Sequence, residues 1–132
     1  IKVFPFGLSS KTESTLIDKN GESSSVLVNN SNNKLIKSKE KIQLVNIVDF
    51  INEQNIVDVD LMKINIEGAE YDVLSKLLDE NKLINIKYLQ IQFHDLDKNS
   101  YKKKEDIRNK LRETHNCEYC YEFIWENWIR KD

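Results

Sequence analysis

Residues 57–74 read V-D-V-D-L-M-K-I-N-I-E-G-A-E-Y-D-V-L, and this stretch decides the fold. An apolar run over residues 57–66 meets the small turn Glu67-Gly68, and a helical pattern begins directly after it. The change of period predicts a buried strand over residues 57–66 and a helix over residues 69–81. The apolar side chains that recur on one face of that helix are Val73, Leu74, Leu77 and Leu78.

A second apolar run, residues 86–93, follows the helix and predicts a second strand. Two strands joined by one helix are usually parallel neighbours, so we expect this pair to be adjacent and central in the sheet. Elements of the same kinds flank the pair: a strand over residues 41–45, a helix over residues 47–54 with Asn46 as its N-cap, and a helix over residues 100–114. The alternation predicts an α/β fold with a mostly parallel sheet and helices on both faces.

Both ends of the chain predict further strands. Residues 1–8 are strand-like, although Pro5 favours a sheet edge or a bulge. Residues 14–18 and 23–28 flank an Asn-Gly pair, which is a strong signal for a β-hairpin near the N-terminus. The aromatic segment 118–128 is expected to close the sheet as a strand or hairpin. We expect its large side chains mainly to cover the sheet edge and the core: Tyr121, Phe123, Trp125 and Trp128.

Polar side chains recur at every second position towards the end of each apolar strand. Because alternate residues share a strand face, each set forms a ladder: Lys63, Asn65 and Glu67 in the first strand, and Gln90, Gln92 and His94 in the second. In open α/β sheets the ligand site lies beyond the carboxyl ends of the strands. We therefore expect Asn65, Glu67 and His94 to surround one crevice and to contact a substrate.

Two interpretations of these ladders stay open. His94 or Glu67 could accept a proton from a substrate hydroxyl, with Asn65 positioning polar ligand atoms. Alternatively, the polar residues are structural, with Lys63 pairing with a nearby carboxylate and the glutamines satisfying loop backbone. For Lys63 and the glutamines, the structural interpretation has at least equal weight.

The overall charge gives no indication of a polyanionic partner. The 132 residues include 20 basic and 22 acidic side chains, a formal net charge of −2, so neither nucleic acid nor an anionic membrane is an expected partner. The one basic run, Lys102-Lys103-Lys104, is followed at once by Glu105 and Asp106 and predicts a solvated helix face. No stretch approaches the roughly 20 apolar residues of a membrane span.

His115, Cys117 and Cys120 raise the question of a metal site. We expect none, because residues three apart on a regular strand point to opposite faces and the sequence has no second Cys/His pair to complete four ligands. Two reduced thiols suit a cytoplasmic protein.

Residues 60–74 resemble the lysine–isoleucine–aspartate–acid–glycine segment of the FkbM family of methyltransferases. Weaker similarity surrounds it at residues 6–9, 48–51, 92–94, 114–115 and 121–128, so the resemblance covers most of the chain. It implies a Rossmann-like fold of the class I methyltransferase type that uses S-adenosylmethionine. The implied activity is O-methylation of a sugar or other small-molecule hydroxyl.

The sequence departs from the family pattern in two ways. Asn65 stands where the family usually has aspartate. The first strand with its glycine-rich turn, and the acidic residue ending the second strand, have no counterpart among residues 1–132. We therefore expect a single domain that forms the C-terminal portion of a methyltransferase fold and is inactive by itself. Two alternatives are a non-catalytic binding module derived from this fold and an unrelated flavodoxin-like domain.

The missing donor motif generates a direct prediction. The 132-residue chain should bind S-adenosylmethionine weakly or not at all, because the resemblance places the methionine and ribose contacts in the motifs that it lacks. Calorimetric titration of the chain with S-adenosylmethionine measures this, and a micromolar dissociation constant would contradict it.

Overall fold

The computed structural model describes residues 1–18 and 39–132. In these ranges the chain forms seven strands, three α-helices and one short 3₁₀ helix. Their order is β1 (Gly7–Ser9), β2 (Glu13–Asp18), β3 (Lys39–Asn46), α1 (Ile47–Glu53), β4 (Val59–Ile64), α2 (Glu70–Asp79), the 3₁₀ helix (Leu83–Asn85), β5 (Ile86–Ile91), α3 (Ser100–Thr114), β6 (His115–Tyr121) and β7 (Trp125–Arg130).

The strands form two sheets, with orders β1-β3-β2 and β4-β5-β7-β6. The predicted parallel pairing of the two apolar strands is confirmed, since β4 and β5 pair in parallel from Val59 opposite Ile86 to Ile64 opposite Ile91. The central position predicted for both is wrong for β4, which lies at the edge of its sheet in the described residues.

The prediction of a mostly parallel sheet is also wrong. Only the pairs β1–β3 and β4–β5 are parallel in the described ranges, whereas β2–β3, β5–β7 and β6–β7 are antiparallel. The physical reason is the short connection between β6 and β7, which allows only an antiparallel hairpin. Strand β6 does run in the direction of β5, as the alternation predicted, but β7 lies between them.

Helix α2 supplies the centre of the hydrophobic core. Its Leu74 and Leu77 are fully buried and belong to one cluster with Leu89 and Ile91 of β5 and Trp128 of β7. The predicted apolar face is therefore confirmed, with Leu78 only partly buried at its margin. Burial of this face, at about 25 cal/mol per Å² of apolar surface, is the main favourable contribution to packing the helix on the sheet.

The three helices lie side by side, with α2 in contact with both α1 and α3. They cover the face of the four-stranded sheet that carries Leu89 and Trp128, which are register partners. The opposite face carries Leu61 and Tyr121, which are 54% and 63% exposed. Within the described ranges, the expected layer of helices on both faces is therefore not seen.

Asparagine residues define both ends of α1 and the end of α2. The side chain of Asn46 accepts a hydrogen bond from the Val48 N–H at 2.9 Å, which confirms it as the N-cap. Asn55 and Asn81 follow the two helices with φ of 53° and 52°. In each case the backbone bonds form the paired pattern of a Schellman motif, which asparagine tolerates better than most residues.

The terminal strands differ in part from their predictions. The expected strand over residues 1–8 is confined to Gly7–Ser9, beyond Pro5. The first arm of the predicted hairpin is β2, which pairs with β3, and the predicted second arm, residues 23–28, lies outside the described residues. The aromatic hairpin is confirmed as β6 and β7. Trp128 is buried in the core as expected, whereas Tyr121 is exposed and lies on β6 at the sheet edge.

An irregularity in β6 changes the interpretation of its cysteines. Cys117 pairs with Trp128 and Cys120 with Glu126, and a β-bulge at Glu118 adds one residue between them. Because Trp128 and Glu126 share a face, the two thiols share it as well, contrary to the expectation of opposite faces. Burial raises the pKa of both thiols, and the adjacent Glu126 carboxylate raises them further.

The basic run on α3 is not uniformly solvated. Lys104 is buried, in contrast to the prediction of a solvated face. Its Nζ lies 2.9 Å from Glu122 Oε1 and 4.3 Å from the centre of the Phe123 ring. A buried cation needs such partners to offset the loss of hydration. The contacts of the ammonium group therefore link the β6–β7 turn to α3.

The packing of α2 predicts a specific loss of stability. Leu77→Ala should lower the free energy of unfolding by about 2–5 kcal/mol, because it leaves a cavity in a fully buried site. Leu61→Ala is the matched control, since Leu61 is half-exposed on β4. Urea denaturation followed by circular dichroism measures both, and equal losses would contradict the assignment of Leu77 to the core.

Candidate functional site

The candidate site lies where β4 and β5 end, next to the start of α2. Strand β4 ends at Ile64 and β5 at Ile91, so Asn65, Glu67 and His94 all lie beyond regular strand. Their positions are therefore set by a turn and not by strand alternation. Glu67 and Gly68 have φ of 51° and 102°. This left-handed turn, closed by the Ala69 N–H bonding to the Ile66 carbonyl at 3.2 Å, redirects the chain into α2.

The turn brings the two principal candidate residues together. His94 Nε2 lies 3.5 Å from Glu67 Oε1, with side chains 15% and 33% exposed. The two side chains therefore meet at the ends of adjacent strands, although the reason differs from the one the strand pattern offered. A left-handed conformation at a non-glycine residue costs about 1 kcal/mol or more, so the fold holds Glu67 in a strained backbone.

The remaining ladder residues are distributed differently. Asn65 is exposed directly after β4. Lys63 extends over the ring of Trp125 in β7, with Nζ 4.9 Å from the ring centre. Gln90 and Gln92 are half-buried, and the backbone N–H of Gln92 continues the β4 pairing by donating to the Ile64 carbonyl.

Glu70 is the residue that the sequence interpretation missed. It is fully buried at the first position of α2. Its Oε2 accepts from the Gly68 N–H at 2.7 Å, and its Oε1 accepts from the His94 N–H at 2.8 Å and lies 3.0 Å from His94 Nδ1. A signal existed in the sequence, because an acidic residue in the first turn of a helix is typical of a carboxylate that binds nearby N–H groups.

Tyr71 makes a second contact with His94, at the backbone carbonyl of that histidine. The hydroxyl donates to the His94 carbonyl at 2.7 Å, and the ring packs 5.5 Å from that of Phe93. Burial raises the pKa of Tyr71 to about 12, with further contributions from the negative charges of Glu70, Asp95 and Asp97. The phenol is therefore a neutral hydrogen-bond donor at physiological pH.

This arrangement is suited to proton transfer. An imidazole that lies between two carboxylates and is partly exposed can accept a proton from a hydroxyl, and the carboxylates stabilise the cation that forms. The imidazole also lies at the carboxyl ends of two parallel strands, which is where ligands approach an open sheet. In the described part of the chain, no group of three or more histidine, cysteine, aspartate or glutamate residues is arranged to hold a metal ion.

The two described glycines do not provide a site for a methyl donor. A Cβ at Gly7 would lie 2.9 Å from Leu44 Cδ2, so this glycine serves close packing of β1 on β3. The Gly68 N–H is already bonded to Glu70. Neither position is part of a glycine-rich turn of the kind that allows close ligand approach. The part of the chain that the structure describes therefore shows no glycine-rich turn of the kind that would hold the methionine and ribose of S-adenosylmethionine.

Comparison with known families assigns the chain. The family model of the methyltransferase FkbM domain matches residues 4–121 of the 132. The chain belongs to the FkbM methyltransferase family. The match includes β4, α2 and β5, and therefore the whole Glu67–Glu70–His94 arrangement. No curated protein and no solved structure matches the chain. None of the helices in the described ranges of this FkbM chain has the length and apolar character needed to cross a membrane.

The environment of Tyr71 generates a prediction about alkaline pH. Since the folded pKa of about 12 exceeds the ordinary value of 10.0, the protonated phenol contributes stability that is complete below pH 10 and lost as the pH rises towards 12. Tyr71→Phe should remove this pH dependence and also cost about 1 kcal/mol at neutral pH through the lost hydrogen bond.

Urea denaturation of both proteins at neutral pH and above pH 10 measures the effect. Absorbance titration at 295 nm gives an independent readout, because Tyr71→Phe should abolish the tyrosinate transition near pH 12. Identical titration curves for the two proteins would show that Tyr71 is not held in this way.

Proposed function

We propose that this segment belongs to an S-adenosylmethionine-dependent O-methyltransferase that acts on a hydroxyl of a sugar or another small molecule. The observation that carries the proposal is the contact of His94 with Glu67 at the ends of β4 and β5, in a chain of a methyltransferase family. The family gives the class of reaction, and the imidazole gives a group that can activate a hydroxyl.

His94 is the proposed catalytic residue. Its Nε2 is on the side of the partly exposed Glu67, where an acceptor hydroxyl can reach both groups. In methyl transfer to oxygen, the acceptor loses its proton as the new O–C bond forms. Nε2 accepts that proton, and Glu67 orients the hydroxyl or serves as the base itself. A positioned base of this kind contributes about 10²–10⁴-fold to the rate. Asn65 is a proposed substrate contact.

The methyl donor would supply an electrophilic methyl group on sulfur. Because the described residues include no glycine-rich turn to hold it, we propose that residues 1–132 form the C-terminal portion of the domain and contribute the acceptor side. This division leaves binding and deprotonation of the hydroxyl to Glu67 and His94, and it assigns the donor contacts to other parts of the enzyme.

A second candidate is a non-catalytic binding module derived from the same fold. The observation that favours it is the engagement of both described glycines, Gly7 in packing and Gly68 in the bond to Glu70. Such a module would keep the crevice as a binding site and have no transferase activity in any form of the protein.

We further propose a cytoplasmic location. Cys117 and Cys120 are both free thiols, and free thiols persist in reducing compartments. Their shared face of β6 does not lead to a disulfide in the structure, although only two residues separate them.

Substitution in the complete methyltransferase tests the proposal. His94→Ala should lower turnover by about 10²–10⁴-fold and change donor affinity little, because it removes the base and not the donor contacts. Glu67→Ala should weaken acceptor binding or turnover to a smaller degree. The control is Glu53→Gln, which changes an exposed carboxylate at the end of α1.

Turnover measured with labelled S-adenosylmethionine and donor affinity measured by calorimetry separate the effects. Unchanged methyl transfer in both the His94 and Glu67 variants would leave these residues as a structural polar pair. Methyl transfer absent from the complete wild-type protein with hydroxylated acceptors would favour the binding module.

A further inference from the structure

The buried carboxylate of Glu70 has an unusual set of partners. Its two oxygens face three N–H or ring nitrogen groups, on Gly68 and on the backbone and ring of His94, at 2.7 to 3.0 Å. Its side chain is completely shielded from solvent. A buried carboxylate is stable only where donors satisfy its oxygens, and it cannot donate in its ionised form.

The shorter of the two carboxylate contacts, 3.0 Å at Nδ1 against 3.5 Å at Nε2, favours Nδ1 as the ring nitrogen that carries the hydrogen. Glu70 Oε1 accepts from the backbone N–H of His94 and faces Nδ1 of the same residue. An ionised carboxylate in that place requires Nδ1 to be the protonated nitrogen of a neutral imidazole. The lone pair is then on Nε2, which is the nitrogen that faces Glu67.

The backbone of His94 is held on both sides. Glu70 binds its N–H and Tyr71 binds its carbonyl, from consecutive positions of α2. Both hydrogen-bond partners of this backbone come from one turn of α2. The residue therefore cannot shift along the end of β5 without losing the hydrogen bonds to Glu70 and Tyr71. Support of this kind is what catalytic side chains need to keep their orientation.

We propose that Glu70 is a positioning residue that holds His94 as the Nδ1–H tautomer and directs Nε2 towards the acceptor. The inference rests on the proposed function for its catalytic meaning. In that reaction Nε2 would accept the hydroxyl proton, and the donor would supply a sulfonium-bound methyl group whose carbon–sulfur bond breaks as the bond to the acceptor oxygen forms. The resulting imidazolium lies between Glu70 and Glu67, and its proton then passes to solvent.

The tautomer is measured directly by ¹⁵N–¹H correlation NMR of the histidine rings in the labelled 132-residue chain at alkaline pH. His94 should show the Nδ1–H form in the wild-type chain. Glu70→Ala should give a mixture of both tautomers, whereas Glu67→Ala, the matched control on the Nε2 side, should retain the Nδ1–H form. A structural role in packing alone would not set the tautomer.

An Nε2–H form of His94 in the wild-type chain would overturn the inference, and this measurement needs no variant to fold. So would an unchanged Nδ1–H form in a folded Glu70→Ala chain. In the complete enzyme, Glu70→Ala should lower kcat at least tenfold and alter the KM of the acceptor much less. If the tautomer changes but kcat does not, the assignment of His94 as the base fails, which is a failure of the proposed function.

Discussion

A carboxylate without access to water has to find all of its hydrogen-bond donors within the protein, and Glu70 meets this requirement at the point where two strands and a helix converge. Its donors come from the turn after β4 and from the residue that follows β5. To present the Gly68 N–H to it, the chain adopts positive φ at Glu67 and Gly68. The shape of the turn, the start of α2 and the placement of His94 are therefore linked through one side chain.

The apolar pattern was sufficient to predict the elements that build the core. Periodicity located α2 within one residue at its start, α3 without error and the parallel pairing of β4 with β5. These features depend on local propensity and on burial of one face, both of which are visible in a short window of sequence. Asn46 was predictable for the same reason, since an N-cap is a local hydrogen bond.

The features that escaped prediction depend on contacts between distant residues. Alternation along the strands suggested why Glu67 and His94 meet, but both lie beyond regular strand, and the bond of Glu70 to a residue 24 positions away brings them together. The order of elements along the chain also does not specify that β7 is inserted next to β5, with which it pairs antiparallel. Burial of Lys104 likewise required knowledge that the β6–β7 turn folds back over α3.

The extra residue in β6 has a consequence for how this sheet can evolve. Deleting Glu118 would remove the bulge and leave Cys117 opposite Trp128, Tyr119 opposite Asn127 and Cys120 opposite Glu126, which is the pairing of a regular strand. The two thiols would keep their shared face, and the ring of Tyr119 would keep the outer one. In β5, whose pairing contains no extra residue, a deletion would instead exchange the faces of all positions on one side of it. We therefore expect the loss of one residue to be tolerated better at this bulge than within β5.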